Sequence, residues 1–138
     1  QLGDRAALYL ASASLSLRQT NYQAADGALR KALSLEPQSS QIHLAWGTFY
    51  WLQKDLKNAD QYFQKAAELA PLNAAVWLRW VDFKFNTGSG KEGRELLLQI
   101  TRKMPDSTAA WTYLARLEFD SQNFLECSNI VQKILLQD

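Results

Sequence analysis

The three prolines of this 138-residue chain, Pro37, Pro71 and Pro105, are separated by 34 residues each. A proline ends a helix because it has no N–H to donate and because its ring collides with the preceding turn. A period of 34 residues is the length of a unit of two helices, and such units stack side by side along a chain. The spacing therefore predicts an all-α chain of helix–turn–helix repeats.

Two further sets of residues keep the same period. Their members are polar residues whose side chains accept hydrogen bonds from the free N–H groups in the first turn of a helix. They are Asn21, Asp55, Ser89 and Asn123 in one set, and Ser39, Asn73 and Ser107 in the other. The segment from Ser89 to Glu92 also has the form of a capping box. Each period is therefore predicted to contain two capped helices.

The second period has the clearest apolar pattern. It reads Trp46-Gly47, Tyr50, Ala59, Phe63, Ala66 and Pro71. This pattern resembles the tetratricopeptide repeat, and the resemblance extends over about the whole chain. It implies a right-handed α-solenoid of about four repeats, with eight antiparallel helices. The predicted units are 6–39, 40–73, 74–107 and 108–138.

The third unit departs most from this pattern. Val81 stands at the position of the small packing residue, Lys84 at that of the tyrosine and Gly93 at that of the alanine. Glycine inside a helix costs about 1 kcal/mol relative to alanine, so we expect this unit to be the least regular. In the fourth unit Glu118 replaces the tyrosine.

The length suits a single domain over 1–138. The chain begins at Gln1 without a methionine, and its last predicted helix, about 124–136, is apolar on more than one face. Solenoids normally end on a helix with a polar outer face. We therefore expect a fragment of a longer array. The last helix would be exposed, paired with a second copy in a homodimer, or covered by further repeats.

Charge and hydropathy exclude several classes of partner. The net charge is +1 with no long block of one sign, which argues against non-specific binding of nucleic acid. No apolar run approaches the roughly 18 residues of a membrane span. We expect a soluble chain, either cytoplasmic or periplasmic.

The sequence offers little for catalysis. His43 and Cys127 are the only histidine and cysteine, so they predict no zinc site. We interpret Cys127 as a buried small side chain and His43 as a packing or surface residue. Gly88 to Lys91 lacks the earlier glycine and the following hydroxyl residue of a phosphate-binding loop. The prediction is a chain without a cofactor and without enzymatic activity.

The resemblance also implies a binding surface, since the first helix of each repeat lines a concave groove in this family. A stripe with the 34-residue period, here called the aromatic stripe, falls at groove positions: Leu17, Trp51, Phe85 and Phe119. Aromatic residues beside arginines are typical of binding hot spots. The residues predicted to contact a partner are Leu44, Thr48, Trp51, Leu78, Arg79, Asp82, Phe85, Tyr113, Arg116 and Phe119.

Two interpretations of the stripe stay open, because large side chains at this position also pack between neighbouring repeats. The two are balanced for Leu17 and Phe119, whereas Trp51 and Phe85 favour a partner. The predicted function is a non-catalytic scaffold that binds a peptide or helix of another protein. Such arrays are frequent in bacteria, so the resemblance suggests a bacterial envelope or assembly complex. The alternative is a structural spacer or self-association segment of a longer array.

Overall fold

The computed structural model describes residues 2–136, in which the regular structure is helical throughout. The helices are α1 (Leu2–Arg18), α2 (Tyr22–Leu35), α3 (Ser40–Leu52), α4 (Leu56–Leu69), α5 (Ala74–Asn86), α6 (Gly90–Lys103), α7 (Thr108–Asp120) and α8 (Phe124–Leu135). Helices α3, α5 and α7 begin at the first residues of the predicted second, third and fourth units. The prediction of an all-α helix–turn–helix repeat fold is confirmed.

These helices form two compact units, the first ending at Pro71 and the second beginning at Leu72. Unit 1 consists of the hairpins α1–α2 and α3–α4, and unit 2 of the hairpins α5–α6 and α7–α8. Within each unit, both helices of the first hairpin pack against the first helix of the second. A single domain over residues 1–138 would require the two units to join, and it stays a prediction.

Five of the seven predicted caps form. Asn21 and Asp55 accept from the backbone N–H groups of Ala24 and Asn58 through side-chain oxygens, at 3.2 and 3.3 Å. The side chains of Ser39, Asn73 and Ser107 also accept backbone N–H groups, at the starts of α3, α5 and α7. The proline-linked and hairpin turns are therefore fixed by local chemistry that the sequence specifies.

The predicted caps at Ser89 and Asn123 are wrong. Neither side chain makes a capping hydrogen bond, because the groups around them bond elsewhere. The carboxylate of Glu92, the other half of the predicted capping box, accepts from Lys84 Nζ at 2.6 Å. Asn123 donates its side-chain amide to Glu118 Oε2 at 3.0 Å. The hydrogen bond to Glu118 takes the place of the cap at Asn123, and the ion pair with Lys84 takes the place of the second half of the capping box at Glu92.

We expect this difference to be measurable. Asp55→Ala removes an oxygen that caps α4 and should lower the free energy of unfolding by about 1 kcal/mol. Ser89→Ala occupies the same repeat position but removes no cap, so its effect should stay below about 0.5 kcal/mol. Urea titrations followed by circular dichroism would compare the two variants. Equal losses would contradict the assignment of caps.

The turn inside every hairpin contains one residue in the left-handed backbone region. These residues are Thr20, Lys54, Gly88 and Gln122, with φ of 55, 64, 83 and 63°. They keep the 34-residue period, and only one of them is glycine, the residue for which this conformation carries no steric cost. The following backbone N–H closes each turn by donating to a carbonyl of the preceding helix. The hairpin geometry is thus the same whatever side chain occupies the turn.

The contact between α3 and α4 is one part of the core of unit 1. The Phe63 side chain is fully buried, and a Cβ added at Gly47 would lie 3.1 Å from its ring. Gly47 therefore permits the close approach of the two helices. The ring of Trp51 meets Phe63 edge-on, with 6.2 Å between centroids.

The departures of the third repeat from the family pattern lie at closely packed positions. Val81 is fully buried, and a Cβ added at Gly93 would lie 3.0 Å from the ring of Phe85 and 3.2 Å from Lys84 Cβ. The aromatic ring fills the space that alanine occupies in the second repeat. Gly93 is thus required by its neighbours.

Glu118, at the tyrosine position of the fourth repeat, is a buried charge in unit 2. Its side chain is only 2% exposed and accepts from the guanidinium of Arg94 on α6 as well as from Asn123. A buried carboxylate needs such partners to offset its lost hydration. This ion pair links α6 to α7 and to the turn before α8.

Cys127 is only partly buried, and the prediction of full burial is wrong. Within the described residues, α8 packs against α7 alone, and Ile130 is its single buried residue. Ala59, at the same position of the second repeat, is fully buried although α4 also packs against one helix of its unit.

Candidate functional site

Seven of the predicted partner-binding residues lie on α5 and α7 of unit 2, and we call them the unit 2 face: Leu78, Arg79, Asp82, Phe85, Tyr113, Arg116 and Phe119. The hydroxyl of Tyr113 donates to Asp82 Oδ1 at 2.6 Å. The rings of Phe85 and Tyr113 stack, with 6.1 Å between centroids and 29° between planes. Two direct contacts therefore join the predicted residues of the two helices.

The electrostatics of this face follow from that contact. Burial, together with the hydrogen bond to Asp82, raises the pKa of the Tyr113 phenol well above its ordinary value, while the charge of nearby Arg116 lowers it. Tyr113 is therefore a neutral hydrogen-bond donor at every physiological pH. One carboxylate oxygen of Asp82 already accepts from Tyr113, so Asp82 holds α7 against α5 and is only partly available to a ligand.

The outer members of the unit 2 face are accessible. The side chains of Arg79 and Arg116 are exposed, and Phe119 is 59% exposed although its ring touches Phe124 at 5.5 Å. Leu78 is half-buried. Two guanidinium groups and an aromatic ring thus surround a rigid stacked pair, a combination typical of hot spots.

The three predicted residues of unit 1 lie along α3. Leu44 is buried, and Thr48 donates its hydroxyl to the Leu44 carbonyl oxygen at 3.0 Å. Trp51 is half-buried and packs against Phe63. Leu17, the first residue of the aromatic stripe, is buried in the core of unit 1, which favours the packing interpretation for it.

The described residues offer no group of three or more metal-ligating side chains. His43 is buried, its Nε2 lies 3.1 Å from the Pro37 carbonyl oxygen, and its ring stacks on Tyr62. It is a packing residue, one of the two roles that the sequence indicated. None of the described helices combines the length and apolar character that a bilayer crossing requires.

One feature of unit 1 was not predicted as a site. A cavity of about 360 Å³ opens between α2, α3 and α4 and is lined by Arg30, Leu33, Ser34, Trp46, Tyr50 and Tyr62. The sequence identified Trp46 and Tyr50 only as repeat-pattern residues. The available signal was the concentration of aromatic residues in the second repeat, but Arg30 and Tyr62 reach the cavity only through tertiary packing.

The hairpins, caps and turn residues define a protein built of helical repeats. Models of the tetratricopeptide repeat match residues 10–74 and 50–117, and together they span residues 10–117. The chain belongs to the tetratricopeptide repeat family. Membership supports a module for protein–protein interaction, and folds of this family are generally non-catalytic.

Two solved structures share the fold. One is pilF of Pseudomonas aeruginosa, which is 21% identical with a TM-score of 0.75 over 97% of this chain and 61% of that chain. The other is MamA, which is 15% identical with a TM-score of 0.67 over 94% of this chain and 76% of that chain. At these identities the likeness is one of fold alone. The chain spans less than two thirds of pilF. A comparison with curated protein sequences gives no match.

Proposed function

We propose that this chain is a non-catalytic scaffold that binds a peptide or helix of a partner protein through its unit 2 face. The observation that carries the proposal is the contact of Tyr113 with Asp82 and Phe85, which joins α5 and α7 into one preorganised surface. A preorganised surface loses less conformational entropy when it binds. We propose Leu44, Thr48 and Trp51 of unit 1 as a contact of the same kind.

The exposed residues of the unit 2 face determine the kind of partner. Arg79 and Arg116 favour acidic side chains or free carbonyl oxygens. The exposed ring of Phe119 provides an apolar surface for the partner to contact. The partner segment should therefore present both acidic and apolar groups. We propose a bacterial envelope or assembly complex as the setting.

The double variant Arg116→Ala/Phe119→Ala should lose this partner. Both side chains are exposed, so the helices should fold as before, while an arginine and an aromatic contact are removed together. Co-purification from source cells with wild type and variant as baits would measure the loss. Arg5→Ala/Leu15→Ala removes an exposed arginine and an exposed apolar side chain from α1 and is the matched control. Equal recovery of all partners by both variants would contradict the proposal.

A second candidate function, self-association or stacking within a longer array, is favoured by α8. Phe124, Val131 and Leu135 lie seven and four residues apart, which places them on one stripe of the helix. They are 57, 41 and 64% exposed. An apolar stripe of this kind is a typical helix–helix contact.

For this second candidate we expect the wild-type chain to dimerise and Val131→Glu/Leu135→Glu to be monomeric, because the glutamates would be buried without partners in the interface. Sedimentation velocity would measure the oligomeric state. Gln38→Glu/Gln61→Glu, at exposed positions of unit 1, adds the same charge and should still dimerise. A monomeric wild-type chain over the accessible concentration range would exclude self-association.

A further inference from the structure

The cavity between α2, α3 and α4, here called the unit 1 pocket, lies away from the residues proposed to bind a partner. Trp46 and Tyr50 are each two residues from Thr48, which is about 200° around the helix. They therefore project from the opposite side of α3. Whatever occupies the unit 1 pocket does not occupy the surface that carries Leu44, Thr48 and Trp51.

Its wall is a set of nearly parallel aromatic rings. Trp46, Tyr50 and Tyr62 stack on one another with 5.4–5.9 Å between centroids and 14–25° between planes. His43 extends the set by stacking on Tyr62. Rigid aromatic surfaces of this kind provide a large contact area with little loss of side-chain entropy.

Several hydrogen-bond donors lie in or beside the pocket. The indole N–H of Trp46 is buried and has no acceptor within the described residues. A buried donor without a partner is unusual in folded proteins and carries a desolvation cost. The hydroxyls of Tyr50 and Tyr62 face the same cavity region as the guanidinium of Arg30.

Charge argues against an anionic ligand. Arg30 is the single cation of the pocket lining, and its Nε already donates to Asp26 Oδ2 at 2.8 Å. Its guanidinium lies 6.0 Å from the centre of the Trp46 ring. The ion pair leaves the pocket close to neutral, so neutral carbonyl oxygens suit it better than carboxylates. Because the Arg30 side chain is 71% exposed, it can move off the indole without opening the core.

The corresponding position of unit 2 shows that this pocket is not a property of every repeat. There Lys84 and Leu96 replace Tyr50 and Tyr62, the cavity shrinks to about 150 Å³, and Lys84 pairs with Glu92 beside it. The larger cavity of unit 1 is thus the one that has the stacked rings and the indole N–H without an acceptor. Its volume of about 360 Å³ falls within the range of ligand pockets.

We propose that the unit 1 pocket binds a proline-rich segment of a partner protein in the polyproline II conformation. Such a segment has free carbonyl oxygens and few N–H groups, which matches a lining of donors. Its conformation is fixed before binding, and aromatic-lined grooves are the surfaces that recognise it. Carbonyl oxygens of the segment would accept from the hydroxyls of Tyr50 and Tyr62, while its proline rings would pack against the aromatic wall that includes Trp46.

The experiment uses the indole N–H resonances of the five tryptophans. Blocked octaproline is titrated into the ¹⁵N-labelled protein, and the Trp46 signal is assigned by its loss in Trp46→Phe. We expect a saturable shift of this signal. The Trp111 indole, which donates to the Pro105 carbonyl oxygen at 2.8 Å, should stay in place as an internal control. Blocked Gly-Ser and glutamate octamers are the control peptides.

Tyr62→Phe keeps the ring and removes one donor, so octaproline should bind about three- to tenfold more weakly, the effect of one neutral hydrogen bond. Tyr9→Phe, outside the pocket, should leave binding unchanged, as should Arg116→Ala/Phe119→Ala in unit 2. The proposal is overturned if octaproline causes no saturable shift, if the Gly-Ser or glutamate peptide shifts the signal equally, or if Tyr62→Phe binds like wild type.

Discussion

Phe63→Ala should lower the free energy of unfolding by about 3–5 kcal/mol, the largest effect that we expect from a single side chain in unit 1. The ring is fully buried between α3 and α4, packs over Gly47 and meets Trp51 edge-on. The resulting cavity would lie against Gly47, which has no side chain to fill it, so the helices would recover only part of the lost contact. A domain of this size has about 5–15 kcal/mol of stability in total, so the variant should approach the folding threshold.

Phe124→Ala is the matched control, since it makes the same chemical change at a ring that is 57% exposed. Its cost should stay below about 1 kcal/mol. Urea denaturation followed by circular dichroism measures both variants under one protocol. If the two losses are similar, Phe63 does not hold α3 and α4 together and the description of the unit 1 core is wrong.

Arg94→Met should cost about 2–3 kcal/mol, the largest electrostatic effect that we expect. Among the described residues, the substitution leaves Asn123 as the one remaining side-chain partner of the buried Glu118 carboxylate. Removing one partner of a buried ion pair typically costs about 3–5 kcal/mol. We expect less here because the Arg94 side chain is 45% exposed, and water near the guanidinium already weakens the pair.

The double variant Arg94→Met/Glu118→Leu distinguishes an unpaired charge from lost packing. It removes both charges, so the free energy of unfolding should recover most of the loss caused by Arg94→Met alone. Arg102→Ala, an exposed arginine of the same helix, should change stability by less than about 0.5 kcal/mol. A double variant that is less stable than Arg94→Met would contradict this explanation, because the loss in Arg94→Met would then not come from the unpaired charge of Glu118.

The helices and most of their boundaries could be predicted because they depend on local chemistry that repeats with the chain. A proline or a cap such as Ser39 or Asp55 acts within one turn of its own position. The 34-residue spacing repeats these signals along the chain. Ser89 and Asn123 show the limit of this reasoning. Asn123 bonds to Glu118 and Glu92 bonds to Lys84, and the pattern of the sequence does not specify which of these competing local partners a side chain takes.

The candidate surfaces were predictable in part. The family resemblance placed Tyr113 and Asp82 on neighbouring groove helices, but their hydrogen bond depends on the distance between α5 and α7. The pattern also could not separate buried Leu17 from exposed Phe119, because burial depends on which helices cover the end of a unit. The role of Gly93 was not predictable for a similar reason, since the ring of Phe85 occupies the space beside it only after α5 and α6 have packed.

The buried pair of Arg94 and Glu118 has a consequence for misfolding. Repeat proteins risk domain swapping, because one hairpin can take the place of another. Asp26 stands two periods before Arg94, and Tyr50 two periods before Glu118. If the fourth hairpin docked where the second belongs, the Glu118 carboxylate would exchange Arg94 for the solvent-exposed pair of Asp26 and Arg30 beside the position of Tyr50. A carboxylate is less well stabilised beside a guanidinium that already has an acidic partner, so Glu118 favours the native order of the hairpins over this exchange.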